Sequence, residues 1–290
     1  MDPRIAATSR KSAMIDKSFN PAEYYASYPQ RVILRPGYPA RAQYKSTLMW
    51  SLYGKQILGE LGEIKTYADV GGCFGFGANS MAFQINKCQG YYPKTAVFEI
   101  SRDFVTLGKQ MFPYIDFIEG EFDKWNGEPR KFDLVTLFDV VEHITNPGDF
   151  LRALSLRTDF ALLNTPLETS GEWLGSRPPA KQGEDHPDGH VNFFDCKTYE
   201  KLLEDSGFQI MKRRLVRNIC PRGTNAILIP EWRQPSLRSL LTSPKLLTRR
   251  LGGIVLSQLP FRFSRKILGH GNHLSLVKSI HPSKAKPSGA

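Results

Sequence analysis

The chain is poor in cysteine: four residues in 290, Cys73, Cys88, Cys196 and Cys220, with no CxxC pair. That spacing supports neither a structural zinc site nor a disulfide framework, and it fits a reducing cytoplasm better than secretion. Long apolar runs are also missing. No stretch reaches 18 uninterrupted apolar residues, which excludes a spanning helix but not a segment lying on a membrane surface, and the opening MDPRIAATSRKSAMIDKSF lacks the apolar core of a leader. Acid is scarce in one place. From Glu231 onward a single acidic residue accompanies eleven Lys and Arg, so this segment carries +10 of the net +11. Residues 1–230 are therefore close to neutral, without the electrostatic footprint of a nucleic-acid binder, and no nucleic-acid partner is expected.

What is present is enough apolar residue, 41% against 23% charged, for a packed core. Residues 1–65 read as an N-terminal extension or lid: Pro36 and Pro39 interrupt an aromatic-rich stretch, and a helix over 40–61 carries Leu48, Met49, Leu52, Ile57, Leu58 and Leu61 on or near one side. From Thr66 strand and helix alternate. Strands are predicted at 67–70, 95–100, 115–119, 132–141, 160–164, 208–216 and 225–230, and helices from Gly77 to about Lys87, then at 103–111, 148–156 and 196–206. The pattern predicts an α/β fold, a doubly wound, seven-stranded, mostly parallel sheet over residues 66–230, with any ligand beyond the carboxyl ends of the strands. Residues 231–290 leave that rhythm. Their apolar residues are interleaved with Arg249, Arg250, Arg262, Arg265 and Lys266, and two readings stand side by side: peripheral contact with an anionic membrane on its inner face, or packing as a helical cap or dimer contact.

Candidate chemistry collects at the predicted strand ends. In YADVGGCFGFGAN, Asp69, Gly71 and Gly75 suit a tight turn in which backbone approaches a ligand and leads into a helix N-terminus. Glu99 ends the next strand, where a carboxylate accepts both hydroxyls of a ribose, and Glu121 follows Gly120 within reach of a purine amine. In LFDVVEHITNP, Asp139, Glu142 and His143 stand at the end of a buried strand, a costly place for polar groups unless they face a polar cleft. Asp139 is grouped with the cofactor-binding set and His143 with the catalytic one. A loop later brings Asp185, His186, Asp188 and His190 together. Three readings of that loop are open: His186 or His190 as a general base, the four as ligands of a divalent ion, or histidines that hydrogen-bond locally to fix the fold.

These motifs, in this order, resemble the class I S-adenosylmethionine-dependent methyltransferases, the group that methylates small molecules. DVGGCFG is similar to the family's first motif at Asp69, Gly71 and Gly75, Glu99 matches its ribose-binding acid, and FDLVTLFDVVEHITNP is similar to its fourth-strand pattern. GHVNFFDCKTYEKLLEDSGFQI resembles the segment leading into the sixth strand. Two positions depart: Cys73 stands where a glycine is usual, and Glu121 where aspartate is commoner. The resemblance spans Tyr67 to Pro230 and implies S-adenosyl-L-methionine as cofactor and a small-molecule acceptor. A positive sulfonium already activates the methyl group, so catalysis is expected to require no metal, and Cys73 is read as a small buried side chain rather than a nucleophile. Oxygen methylation of a sugar, polyketide, lipid-linked saccharide or similar metabolite leads, with His-assisted deprotonation. Nitrogen or carbon methylation, a nicotinamide-dependent oxidoreductase and a non-catalytic scaffold are the alternatives.

Overall fold

A computed structural model describes residues 38–167, 189–216 and 271–281. Helix α1 (Tyr38–Leu61) precedes strand β1 (Thr66–Val70), helix α2 (Phe76–Gln89), β2 (Lys94–Glu99), α3 (Arg102–Met111), β3 (Asp116–Glu119) and β4 (Phe132–Phe138). There follow α4 (Pro147–Arg157), β5 (Thr158–Pro166), α5 (Cys196–Asp205), β6 (Phe208–Val216) and β7 (Asn272–Ser279). The seven strands form one sheet in the order β3-β2-β1-β4-β5-β7-β6. β1 pairs in parallel with β2 and β4, and β7 lies antiparallel between β5 and β6.

The chain runs outward from β1 through β2 to β3, then crosses back to place β4 on the other side of β1. The reversal falls between β1 and β4, where the connections leave in opposite directions, and in doubly wound sheets this is where a ligand crevice lies, at the carboxyl ends. Period-two alternation distributes the strand side chains to two faces. Tyr67, Leu134, Phe160 and Leu162 pack toward α1 and α2, whereas Ala68, Val135, Ala161 and Leu163 pack toward α4 and α5. Local signals set the helix ends. Pro147 opens α4, and Asp195 caps α5 by accepting the Thr198 amide at 2.7 Å.

In α1 the buried stripe runs through Ser46, Met49, Trp50, Tyr53, Gly54 and Ile57, steps of three and four that keep one face inward. Met49 and Ile57 belong to it as predicted, while Leu48, Leu52, Leu58 and Leu61 flank it, half-buried. The small residues explain the rotation: Ser46 approaches α2 closely enough for its hydroxyl to donate to the Gly77 carbonyl at 2.9 Å. Tyr53 donates to the Leu274 carbonyl at 3.1 Å, so α1 is seated on β7.

The last strand corrects the sequence reading. The segment 225–230, predicted as the final strand, lies outside the described residues, and the sheet is not complete at Pro230: its seventh strand comes from within the basic tail. In β7 the polar His273 and Ser275 are fully buried between Leu274 and Leu276, which disguises a central strand as an amphipathic segment. His273 is held by the Glu200 carboxylate, 2.9 Å from Nε2, and by the edge of Tyr199; Glu200 also accepts a hydrogen bond from Arg213, tying α5 to β6 and β7. Lys278, one of the eleven tail cations, pairs with Glu60 of α1 at 2.8 Å. The other ten lie outside the described residues, and with them the stretch on which the membrane reading rests. Among the described residues no helix is long and apolar enough to cross a membrane.

Because β7 is the neighbour that joins β6 to the rest of the sheet, a chain ended after Pro230 is expected to lose cooperative melting by circular dichroism. In the full chain Leu276→Ala should cost about 2–5 kcal/mol in denaturant titration. A truncated chain that melts cooperatively would show that the strand is dispensable.

Candidate active site

The crevice is floored by Asp69 on β1, which is 3% exposed. Its Oδ1 accepts the Thr136 hydroxyl of β4 at 2.6 Å, and Thr136 in turn meets the Tyr67 hydroxyl at 2.8 Å. Burial pushes the Asp69 carboxyl up to about 7, the Thr136 bond opposes it, and the nearby Glu99 charge adds to the rise. Above Asp69 the chain turns sharply. The Gly71 amide donates to the Phe98 carbonyl at 2.8 Å with φ +68°, and a Cβ built there would sit 2.7 Å from Val140 Cγ2. Gly75, with φ +84°, stands just before α2, and a Cβ there would meet the Phe117 ring at 2.6 Å.

Between those glycines Cys73 holds the left-handed conformation, φ +48°. It is a half-buried residue whose thiol is pushed well above the usual range by burial and then by the Glu99 charge, which removes it as a nucleophile. Its amide donates to Glu99 Oε2 at 3.1 Å, and the Ser101 amide donates to Oε1 at 2.9 Å. Glu99 is 6% exposed; burial raises its pKa, and these two bonds oppose the rise. Each oxygen uses one acceptor site on the backbone, leaving the carboxylate oriented with acceptor capacity to spare.

Across the Gly71–Val140 contact lies a second polar group. Asp139 follows β4 with φ +59° and accepts from Lys45 of α1 and from the Asn164 side chain of β5. Glu142 is 1% exposed, and burial followed by the Asp139 charge pushes it up to about 8 against the pull of His190. Its backbone carbonyl accepts the Val191 and Asn192 amides at 2.9 and 3.0 Å, which pins the segment after Gly189 onto the turn that carries His143. His143 Nδ1 lies 3.1 Å from the Gly189 carbonyl, and the His143 and His190 rings meet edge to face with centroids 4.8 Å apart.

Of the residues singled out from the sequence, Asp69, Gly71, Gly75 and Glu99 thus surround one turn, and Asp139, Glu142, His143 and His190 surround the next. Glu121 does not join them: its carboxylate is half exposed and pairs with Lys124 at 2.7 Å. Asp185, His186 and Asp188 lie outside the described residues. Tyr38, Lys45, Thr136 and Asn164 were missed. The Tyr38 phenol, raised far above its usual range first by burial, contacts Cys73, and Lys45 reaches Asp139 from 94 positions upstream. No local pattern marks either residue, because α1 is brought to the crevice only by packing on α2 and β7.

Residues 67–213 match the family described as the methyltransferase domain. The chain belongs to that family. It is a class I S-adenosylmethionine-dependent methyltransferase, an enzyme whose cofactor is S-adenosylmethionine. Among solved structures it is similar to a Haloferax volcanii protein determined with the Trm112 methyltransferase activator, at 13% identity and TM-score 0.51 over 86% of this chain and 97% of that one. It is also similar to an S-adenosylmethionine-dependent methyltransferase from Clostridium acetobutylicum, at 12% identity and TM-score 0.50 over 89% and 97%. At such identities the likeness shows the fold alone. No curated protein matches the chain.

The methyltransferase's crevice fits this cofactor on its own geometry. A Cβ at Gly71 would fill the cradle against Val140, and the buried Glu99 carboxylate, already oriented by two amides, suits a pair of neighbouring hydroxyls. Glu99→Gln keeps the size and removes the charge-assisted acceptor. Calorimetry should show S-adenosylhomocysteine affinity reduced roughly 10- to 100-fold; unchanged affinity would remove Glu99 from the cofactor site. Asp69 gives a pH signature. Its folded pKa lies above its unfolded value of about 3.9, so between the two values the folded state holds the extra proton and stability falls as pH rises. The melting temperature of Asp69→Asn relative to the parent is therefore expected to climb from pH 4 to about 7 and then level. A pH-independent difference would contradict the buried carboxyl.

Proposed function

We propose that this methyltransferase transfers a methyl group to an oxygen of a sugar, polyketide, lipid-linked saccharide or similar modest-sized metabolite, with a histidine of the 143/190 pair taking up the acceptor's proton. The observation that carries the reading is the contact between Gly71 and Val140, which sets the cofactor turn directly against the Glu142–His143–His190 group. When bound, the cofactor supplies an electrophilic methyl carbon on a positively charged sulfur. The chain's own task is placement: Gly71 and Glu99 hold the donor side, and the neighbouring turn holds the acceptor, an arrangement whose contribution reaches about 7–11 kcal/mol in the best cases.

An alcohol keeps its proton at neutral pH and must lose it as it attacks, and the histidine pair supports an oxygen acceptor on that ground. The Gly189 carbonyl can only accept, so His143 Nδ1 carries the proton and Nε2 presents the lone pair. The backbone bonds from residues 191 and 192 to Glu142 keep His190 beside it. Glu121, half exposed and paired through Oε1 with Lys124, lies outside the buried group, and His186 stays a candidate from the sequence. His143→Ala is expected to lower turnover on a hydroxylated acceptor by roughly 10²–10⁴-fold, with affinity for S-adenosylhomocysteine preserved. The measurement is S-adenosylhomocysteine release across a panel of sugars, polyketides and matched amines. Turnover of amines alone, or a His143→Ala enzyme as fast as the parent, would reject the reading.

A further inference from the structure

We propose that Glu142, His143 and His190 form a binding site for a divalent transition-metal cation on the acceptor side of the crevice. The carboxylate is the first reason. Glu142 is 1% exposed, and neither of its oxygens has a hydrogen-bond donor among the described residues. A bare carboxylate is expensive to bury unless a positive charge meets it. Asp139 next to it opposes its ionisation; His190 and Lys45 act on it only through space, and the Lys45 ammonium makes its hydrogen bond to Asp139.

The imidazoles are the second reason. His143 donates through Nδ1 to the Gly189 carbonyl at 3.1 Å, which turns the Nε2 lone pair toward Glu142 Oε1, 3.9 Å away. That separation is too long for a hydrogen bond. A backbone carbonyl holding the far nitrogen is how metal-binding imidazoles are fixed in tautomer and direction. His190 completes the group from the other segment, and one ligand atom from each of the three residues lies within 4.8 Å of the others. Ligands bound at ~2.0–2.2 Å around one ion stand about 3–3.5 Å apart, so an ion would draw these three together by about an ångström. Glu200 makes the contrast: it lies near His273 and Cys196 but already accepts from the Arg213 guanidinium, so its charge is met within the protein.

Two imidazoles with one carboxylate suit zinc, manganese or ferrous iron, whereas magnesium and calcium prefer oxygen ligands. Three protein ligands leave coordination positions open for the acceptor. This role, unlike the binding itself, rests on the function proposed above. A hydroxyl bound to the ion ionises near neutral pH, its proton passes to solvent, and the oxygen's electron pair forms the bond to the methyl carbon while the carbon–sulfur pair stays on sulfur. With the ion bound the histidines are ligands, so this role keeps the oxygen acceptor proposed above and replaces its histidine base by the ion.

The test uses the full chain, free of any polyhistidine tag, stripped with a chelator and dialysed. Calorimetric titration at neutral pH with zinc and manganese should show saturable binding that magnesium does not match. Glu142→Gln and His190→Ala should each weaken it by roughly tenfold or more. S-adenosylhomocysteine affinity should stay unchanged in both variants, which separates a failed metal site from a failed methyltransferase reading and shows that the variants are folded. In chelator, Glu142→Gln should melt no lower than the parent, since the amide replaces a buried carboxyl that has no hydrogen-bond partner among the described residues. Absence of zinc and manganese binding by the parent, or equal affinity in a folded Glu142→Gln chain, overturns the site. Methyl transfer that persists in the stripped enzyme overturns the ion's role with the acceptor.

Discussion

The structure depends on the reversal of chain direction at β1. Because β2 and β4 lie on opposite sides of β1, the connections that follow β1 and β4 leave in opposite directions, the place at which doubly wound sheets bind ligands. The Asp69–Thr136 bond ties the two strands together just beneath that opening. Above it, Gly71 and Val140 bring the two turns into contact, and the absence of a side chain at Gly71 is what lets them meet. A second physical role follows from the same place. Asp69, Glu99 and Glu142 are buried there, and charges held away from water are screened less than charges on the surface.

Burial of acid is the other organising feature. Asp69, Glu99 and Glu142 are all buried, and in each case burial is the largest cause of a raised pKa. They differ in how they are compensated: Asp69 has a hydroxyl, Glu99 has two backbone amides, and Glu142 has no donor among the described residues. A buried carboxyl short of partners costs stability, and such groups concentrate at functional sites.

The helix before the first strand and the strand after the basic stretch join the same structure. α1 sends Lys45 and Tyr38 to the crevice while Tyr53 and Glu60 hold β7, so the two ends of the described chain share one core with the site. Changes in α1 are thereby felt both in the packing of the sheet and at Asp139.

The amino-acid sequence by itself determined the alternation of strands and helices from Thr66 to Val216 and the placement of Asp69, Gly71, Gly75, Glu99 and Asp139 at strand ends. Apolar periodicity and glycine turns are local properties, legible in a window of a dozen residues. It did not reveal β7, whose buried His273 and Ser275 break the apolar run, nor the pairing of Lys45 with Asp139, nor the exclusion of Glu121 from the buried group. It grouped His190 with Asp185, His186 and Asp188 by proximity along the chain. Tertiary structure decided instead that His190 stands against His143 and Glu142, because backbone bonds from residues 191 and 192 to Glu142 join segments nearly fifty positions apart. Contacts of that range depend on how the elements pack, and no local pattern of side chains encodes them.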